Sequence, residues 1–147
     1  MEVRVTCRID RPLDEVRAQF ADIRHHAEAQ VHRNVRFEPI TGSQRFRQVT
    51  RKGPLRLRQE IQLGVDDDGT IVQRVVAGAL HGSTLRYVFA RAELGTVVTA
   101  EAQVPLPRVA RVAGPLLCRS LGRALTTALD EDRLDLESGR YADRSRC

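Results

Sequence analysis

The chain has 147 residues, 41% of them hydrophobic, a net charge of +5 and a sequence pI of about 9.8, which suits one domain built around one core. Cys7, Cys118 and Cys147 make an odd set with no paired spacing, which argues against a disulfide framework or a zinc cluster and for a reducing compartment. The opening MEVRVTCRID has alternating charges instead of a signal peptide's apolar stretch, and no run approaches the roughly 18 apolar residues that span a bilayer, so a cytoplasmic protein without a transmembrane segment is expected.

Residues 2 to 9 alternate, with Val3, Val5, Cys7 and Ile9 on one face and Glu2, Arg4, Thr6 and Arg8 on the other, the pattern of a half-buried strand. Pro12, Asp14 and Glu15 suit the first turn of a helix, and Leu13, Val16 and Phe20 follow at helical spacing, which predicts a helix over 12–22. Asp22 is positioned to cap a second short helix through Ile23 to Gln30. Period two returns from Val31, with Val35 and Phe37 on one face. Turns at Thr41-Gly42-Ser43 and Lys52-Gly53-Pro54 bracket a strand over 44–51. Residues 55–65 carry the cleanest alternation, with Leu55, Leu57, Gln59, Ile61, Leu63 and Val65 opposing Arg56, Arg58, Glu60 and Gln62.

Asp66-Asp67-Asp68-Gly69 reads as a hairpin loop. The downstream bidentate glutamate of a calcium loop is missing, so no calcium site is assigned. Strands follow over 70–79, through Leu85, Tyr87 and Phe89, and through Val98, Ala100, Ala102 and Val104, with a bulge plausible at Gly78 or Gly82. Pro105-Leu106-Pro107 ends the sheet, and residues 108–114 form an apolar-basic lead-in. From Pro115 to Glu137, Leu117, Leu121, Leu125, Ala128 and Asp132 recur at three- and four-residue steps, widened by Leu116 and Leu129. This is a long helix with one buried face. Residues 138–147 read as a polar, frayed tail, and residues 1–137 as a single domain.

One strand, two short helices, six consecutive strands and a long helix imply an antiparallel meander that the helix covers. The fold class is therefore α+β: a curved antiparallel sheet of about seven strands wrapped around a long C-terminal helix. A curved sheet gripping one helix commonly leaves a ligand-sized space between them.

The chain resembles the START-like or SRPBCC superfamily, whose fold is the helix-grip. The stretches that carry the resemblance are the opening strand with IDRPLDEVRAQFADI (Ile9 to Ile23), the strand GTVVTAEAQVPLP (Gly95 to Pro107) and the terminal helix. Ile9, Pro12, Val16 and Asp22 match the family's opening I-x-x-P-x-x-x-V-W-x-x-x-x-D; Arg17 stands where an aromatic is common. The segment Arg24-His25-His26-Ala27-Glu28-Ala29 departs from relatives that carry a tryptophan there. The resemblance implies binding of hydrophobic molecules such as lipids, isoprenoids or polyketides, and some bacterial members cyclise or aromatise polyketides.

On that footing the expected cavity walls are Val35, Phe37, Phe46, Leu57, Gln59, Ile61, Leu63, Tyr87, Phe89, Val98 and Ala100. Leu117, Leu121 and Leu125 form the lid, and Tyr87 and Gln59 orient a polar end. The enzymatic alternative, a cyclase or aromatase, uses His81 and Tyr87 as acid–base groups. His25 and His26, adjacent on a helix, point about 100° apart and make a poor metal pair. They read as solvated residues near a cavity rim, and His32 as exposed. No metal or cofactor is assigned. Gln48 and Gln59 fall on otherwise apolar faces and need hydrogen-bond partners there. Cys118 reads as a buried, inert thiol.

The last feature is a basic ladder. Arg45, Arg47, Arg51, Arg56 and Arg58 share the face opposite the core, with no acid between Arg45 and Arg58. Either compositional bias or an anionic surface or protein partner accounts for it. Aromatic residues for stacking bases are absent from that face, which disfavours nucleic acid.

Overall fold

The structure, a computed structural model, describes residues 1–110 and 112–144, with the backbone alone at Val109 and Arg144. Arg111 of the expected lead-in and residues 145–147, Cys147 included, lie outside the described residues. Strand β1 (Glu2–Ile9) is followed by helices α1 (Leu13–Ala21) and α2 (Ile23–Ala29). Six strands come next: β2 (Val35–Pro39), β3 (Arg45–Lys52), β4 (Leu55–Val65), β5 (Ile71–Gly78), β6 (Thr84–Ala92) and β7 (Gly95–Gln103). A 3₁₀ turn (Arg108–Ala110) leads to the long helix α3 (Gly114–Glu137) and the short α4 (Arg140–Arg144).

The strands form one antiparallel sheet in the order β1-β7-β6-β5-β4-β3-β2. Consecutive strands β1 and β2 therefore occupy opposite edges, and α1 with α2 carries the chain across. The α+β arrangement expected from the periodicities, an antiparallel meander with a long terminal helix, is present, and it is the helix-grip that the resemblance implies. Two local details differ. Residues 31–34 form a loop, so β2 starts at Val35. The tail is ordered into α4 over 140–144, where the Tyr141 ring sits edge-on to His25 at 4.9 Å and its hydroxyl donates to Asp22 Oδ2 at 3.4 Å. The expectation of fraying is thus corrected for that segment: a lone aromatic has no period, but it has a partner across the fold.

The core lies where α1 and the C-terminal half of α3 meet the inner sheet face. Ile9, Val16, Phe20, Ile71, Tyr87, Phe89, Val98, Ala100, Leu129 and Leu136 form one buried cluster. Phe20 meets Tyr87 and Phe89 edge-to-face at 5.1 and 5.4 Å, the geometry aromatic quadrupoles favour. A second cluster joins Val3 and Ala102 to Leu125, with Cys118 and Leu121 packed on it. Arg17, in the position where an aromatic is common among relatives, lays its guanidinium 5.9 Å from the Phe89 ring centre and donates to the Asp68 carbonyl at 3.0 Å. It therefore ties α1 to the β4–β5 hairpin. No described helix is long and apolar enough to cross a membrane.

The register slips once, between Glu60 and Ile61: Glu60 pairs with Ala77 but Ile61 pairs with Val75. Val76 is thus the extra residue of a β-bulge, which bends the sheet where it must curl. Two glycines sit at the closest backbone approaches. Gly78 has φ +89°, and a Cβ there would lie 2.3 Å from the Arg58 carbonyl oxygen. Gly95 has φ +110°, and its Cβ would lie 2.3 Å from the Ile9 carbonyl oxygen. Left-handed backbone alone costs a non-glycine residue about 1–2 kcal/mol. Gly95→Ala is expected to lose more than that. Gly42→Ala, at φ +77° with nothing within 4 Å, should lose only the conformational part. Urea unfolding of both variants checks the difference, and equal losses would contradict the close-approach account.

Candidate functional site

The cross-strand register puts the expected cavity residues of the sheet on its inner face. Phe37 pairs with Gln48, Gln48 with Gln59, Phe46 with Ile61, Ile71 with Tyr87, Tyr87 with Ala100 and Phe89 with Val98. These residues divide into two groups. Tyr87, Phe89, Val98 and Ala100 are packed under Phe20 and Leu129 as core. Burial pushes the Tyr87 hydroxyl far above its ordinary pKa, with the Asp132 charge adding to the effect, so it stays protonated.

The others lie on β2, β3 and β4, while the N-terminal half of α3 packs over β1; of them, Leu63 packs against the core cluster and Phe37 against His26 and His32. Leu57 on β4 and Leu117 on α3 remain 37% and 39% exposed. Leu63, Val35, Phe37 and Leu121 are half-buried, while Phe46, Ile61 and Leu125 are buried. Lys52 at the β3–β4 tip donates to Ser120 of α3, spanning the gap between hairpin and helix. The two glutamines satisfy each other: Gln48 Nε2 donates to Gln59 Oε1 at 3.4 Å, and Gln59 Nε2 donates to the Ala79 carbonyl at 2.8 Å. The amide pair thus sits on the inner face of β3 and β4 beside Phe46 and Ile61.

The polar centre of the molecule is a cluster that the sequence reading placed in solvent. His25, His26 and His32 are 3%, 6% and 8% exposed, so the expectation that they are solvated is corrected. The reason lies more than 95 residues away. Asp132 and Asp135, three apart on α3, both face the interior and are also buried. His25 Nε2 lies 2.7 Å from Asp135 Oδ2 and His26 Nε2 lies 3.0 Å from Asp132 Oδ1. Gln19 of α1 bridges the two carboxylates, its Nε2 donating to each at 3.2 Å. His32 lies 3.0 Å from Glu131 Oε2 through Nδ1, and its Nε2 lies 3.6 Å from Asp132 Oδ1.

Local structure aims these rings. Asp22 Oδ1 accepts from the His25 backbone N–H at 2.9 Å and caps α2 as expected. Gln30, in left-handed backbone at φ 48°, ends the helix and turns the chain back toward His32. Phe37 then holds both rings, with His26 and His32 at 5.8 and 5.6 Å. His25 and His26 turn to different carboxylates, Asp135 and Asp132, as their angular separation implies, and the ring that shares Asp132 is that of His32, so the pair that converges is His26 and His32. These two and Asp132 offer ligand atoms within 4.8 Å of one another. One sign was legible: Asp132 falls on the apolar stripe of α3, where a carboxylate must have a partner.

The remaining candidates are dispersed. His81 sits exposed in the β5–β6 turn, while Tyr87 is buried three residues inside β6, about 10 Å along the strand from its start. The structure does not bring them together. Arg45, Arg47, Arg51, Arg56 and Arg58 do share the outer face, around a 570 Å³ groove that all but Arg45 line. Arg51 stands directly opposite Arg56, whereas Arg47 is flanked by Glu38 and Glu60, and Arg45 pairs with Glu60 at 3.2 Å. Two of the five ladder arginines therefore have cross-strand acids beside them that lie outside the ladder's own sequence window. Cys118, expected to be buried, is half-buried beside the second core cluster, because the N-terminal half of α3 is covered mainly on its β1 side.

Burial pulls the His26 pKa down, but the hydrogen bond and charge of Asp132, the Asp22 carbonyl and the charge of Asp135 more than offset it, and the value lies above the ordinary 6.5. A folded value above the unfolded one means His26 contributes stability that is fully present below pH 6.5 and is lost as pH rises through the folded value. Melting temperature in chelator-treated buffer is expected to fall as pH is raised from about 6 to about 9. His26→Gln should flatten that fall, and an unchanged slope would exclude His26 as its source.

No family model and no curated protein matches the sequence. Solved structures do match. The protein TTHA0849 from Thermus thermophilus aligns with a TM-score of 0.80 at 16% identity, covering 95% of this chain and 99% of that one. A START superfamily protein from Mycobacterium smegmatis aligns at 0.77 and 11% identity, covering 93% and 97%. An AHSA1-like protein from Aeromonas hydrophila aligns at 0.60 and 13% identity, covering 96% and 95%. At these identities the likeness is one of architecture, and with the sheet order, the two crossing helices and the long terminal helix it leads to one conclusion: the chain has the START-like helix-grip fold.

Proposed function

We propose that this protein is a single-domain binder of a hydrophobic small molecule with one polar end, held in the cleft between the inner sheet face and the N-terminal half of α3. The observation that carries the reading is the half-exposure of Leu57 on the inner face of β4 and of Leu117 on α3, two elements joined at the hairpin tip by the Lys52–Ser120 contact. Elsewhere along the same helix Leu129 and Leu136 are fully buried. Apolar area left uncovered on opposing walls is stabilised by an apolar guest at about 25 cal/mol per Å² removed from water. A lipid, isoprenoid or polyketide-like compound fits this chemistry. The Gln48–Gln59 amides in the wall suit a carbonyl or hydroxyl end.

A second reading is favoured by one observation, the three buried histidines held by carboxylates. If the bound molecule is also transformed, proton transfer falls to this cluster in place of the separated His81 and Tyr87. The outer arginine groove would then serve only an anionic partner.

The uncharged probe N-phenyl-1-naphthylamine tests the cleft without engaging the arginines. Its fluorescence should rise on saturable binding. Leu121→Glu, which puts a charge on the half-buried stripe of α3, should weaken binding about tenfold or more. Arg51→Gln on the outer face should leave it unchanged. Loss with Arg51→Gln and none with Leu121→Glu, in variants of unchanged circular dichroism, would move the binding site off the cleft.

A further inference from the structure

We infer that His26, His32 and Asp132 form a binding site for a first-row divalent metal ion of the zinc, cobalt or iron type. The inference goes beyond the cleft reading and does not depend on it.

The first support is convergence. His26 Nε2 and His32 Nε2 lie 3.0 and 3.6 Å from the same oxygen, Asp132 Oδ1, and the three ligand atoms fall within 4.8 Å of one another. Metal–ligand bonds of about 2.0–2.2 Å put neighbouring tetrahedral ligands about 3.3 Å apart. The cluster is within a few tenths of an ångström of that spacing at both distances.

The second support is the outer face of each ring. His26 Nδ1 lies 2.8 Å from the Asp22 carbonyl oxygen. A carbonyl can only accept, so Nδ1 carries hydrogen and donates, and Nε2, which faces Asp132 Oδ1, is the nitrogen that a metal would take by displacing the proton shared with that carboxylate. His32 Nδ1 lies 3.0 Å from Glu131 Oε2, and donation to that carboxylate again leaves Nε2 facing inward. A backbone carbonyl behind one imidazole and a carboxylate behind the other is the arrangement that orients histidine ligands and raises their basicity.

The third support is charge and access. Asp132 and Asp135 are buried, and neither has a lysine or arginine partner among the described residues. A cation beside Asp132 would offset that charge. His26 and His32 also line a 340 Å³ pocket that opens at the β2 edge, with Arg33, Arg36 and Arg51 in its wall. The ion would therefore keep a coordination position reachable from outside, and the arginines favour an anionic oxygen ligand there. Two imidazoles and one carboxylate suit a borderline ion, whereas calcium and magnesium prefer all-oxygen sets.

The test uses the whole chain, stripped with chelator and titrated with zinc alone against a competing indicator. One equivalent of zinc should bind. Glu131→Gln should weaken binding about 10- to 100-fold by removing the carboxylate behind His32. His32→Ala should weaken it by more than Glu131→Gln does, and His81→Ala, an exposed histidine outside the cluster, should leave it unchanged. Cobalt should give a visible absorption band that His32→Ala abolishes. His32→Gln is the substitute if His32→Ala unfolds by circular dichroism. Absence of stoichiometric zinc binding, or wild-type affinity in both Glu131→Gln and the folded His32 variant, would overturn the assignment.

Discussion

Two carboxylates on one helix organise this molecule. Asp132 and Asp135 stand three residues apart on α3 and so share its buried face. A buried carboxylate is tolerated only with hydrogen bonds or counter-charge around it. The chain supplies these from three segments: Gln19 from α1, His25 and His26 from α2, and His32 from the loop that follows. The same contacts pin the two crossing helices against the terminal helix, so the polar cluster and the fold depend on each other. The solution is incomplete on one side. His25 Nδ1, Gln19 Oε1 and Asp135 Oδ1 are buried without a hydrogen-bond partner among the described residues, so the cluster retains unused polar capacity.

Helix α3 does two jobs along its length. Its C-terminal half closes the core through Leu129, Asp132, Asp135 and Leu136, with α1 and α4 against it. Its N-terminal half leans on β1 through Leu125 and Leu121 and leaves Leu116 and Leu117 in the open. The sheet mirrors this division. Strands β6 and β7 carry Tyr87, Phe89, Val98 and Ala100 into the packed end, while β3 and β4 extend past it toward the Lys52–Ser120 contact. The bulge at Val76 lets the long β4 bend at that point. One end of the grip is thus a packed polar and aromatic plug, and at the other Leu57, Leu116 and Leu117 stay exposed.

The local elements were legible because each has a local cause. Period-two alternation marked the strands, Gly-containing turns set the hairpins, and Asp22 announced the cap of α2 that the structure contains. The inner faces of β3 and β4 also followed directly, since Phe46, Gln48, Gln59 and Ile61 face one another in the observed register. The histidines were not legible in the same way. Their segment is short and polar, so no period showed which face turned inward, and adjacency suggested solvent exposure. Asp132 on the apolar stripe was the one residue that pointed toward them.

The amino-acid sequence by itself determined the order of elements, the faces of the strands and the meander, because hydrophobic alternation and turn chemistry act over a few residues. Only the tertiary structure decided where the charges are neutralised and what α3 covers. His26 and Asp132 are 106 residues apart, and Arg47 owes its flanking acids to strands on either side. Such pairings depend on how the sheet curls and how the helices cross it. That geometry results from the whole chain closing on itself, and no window of local sequence contains it.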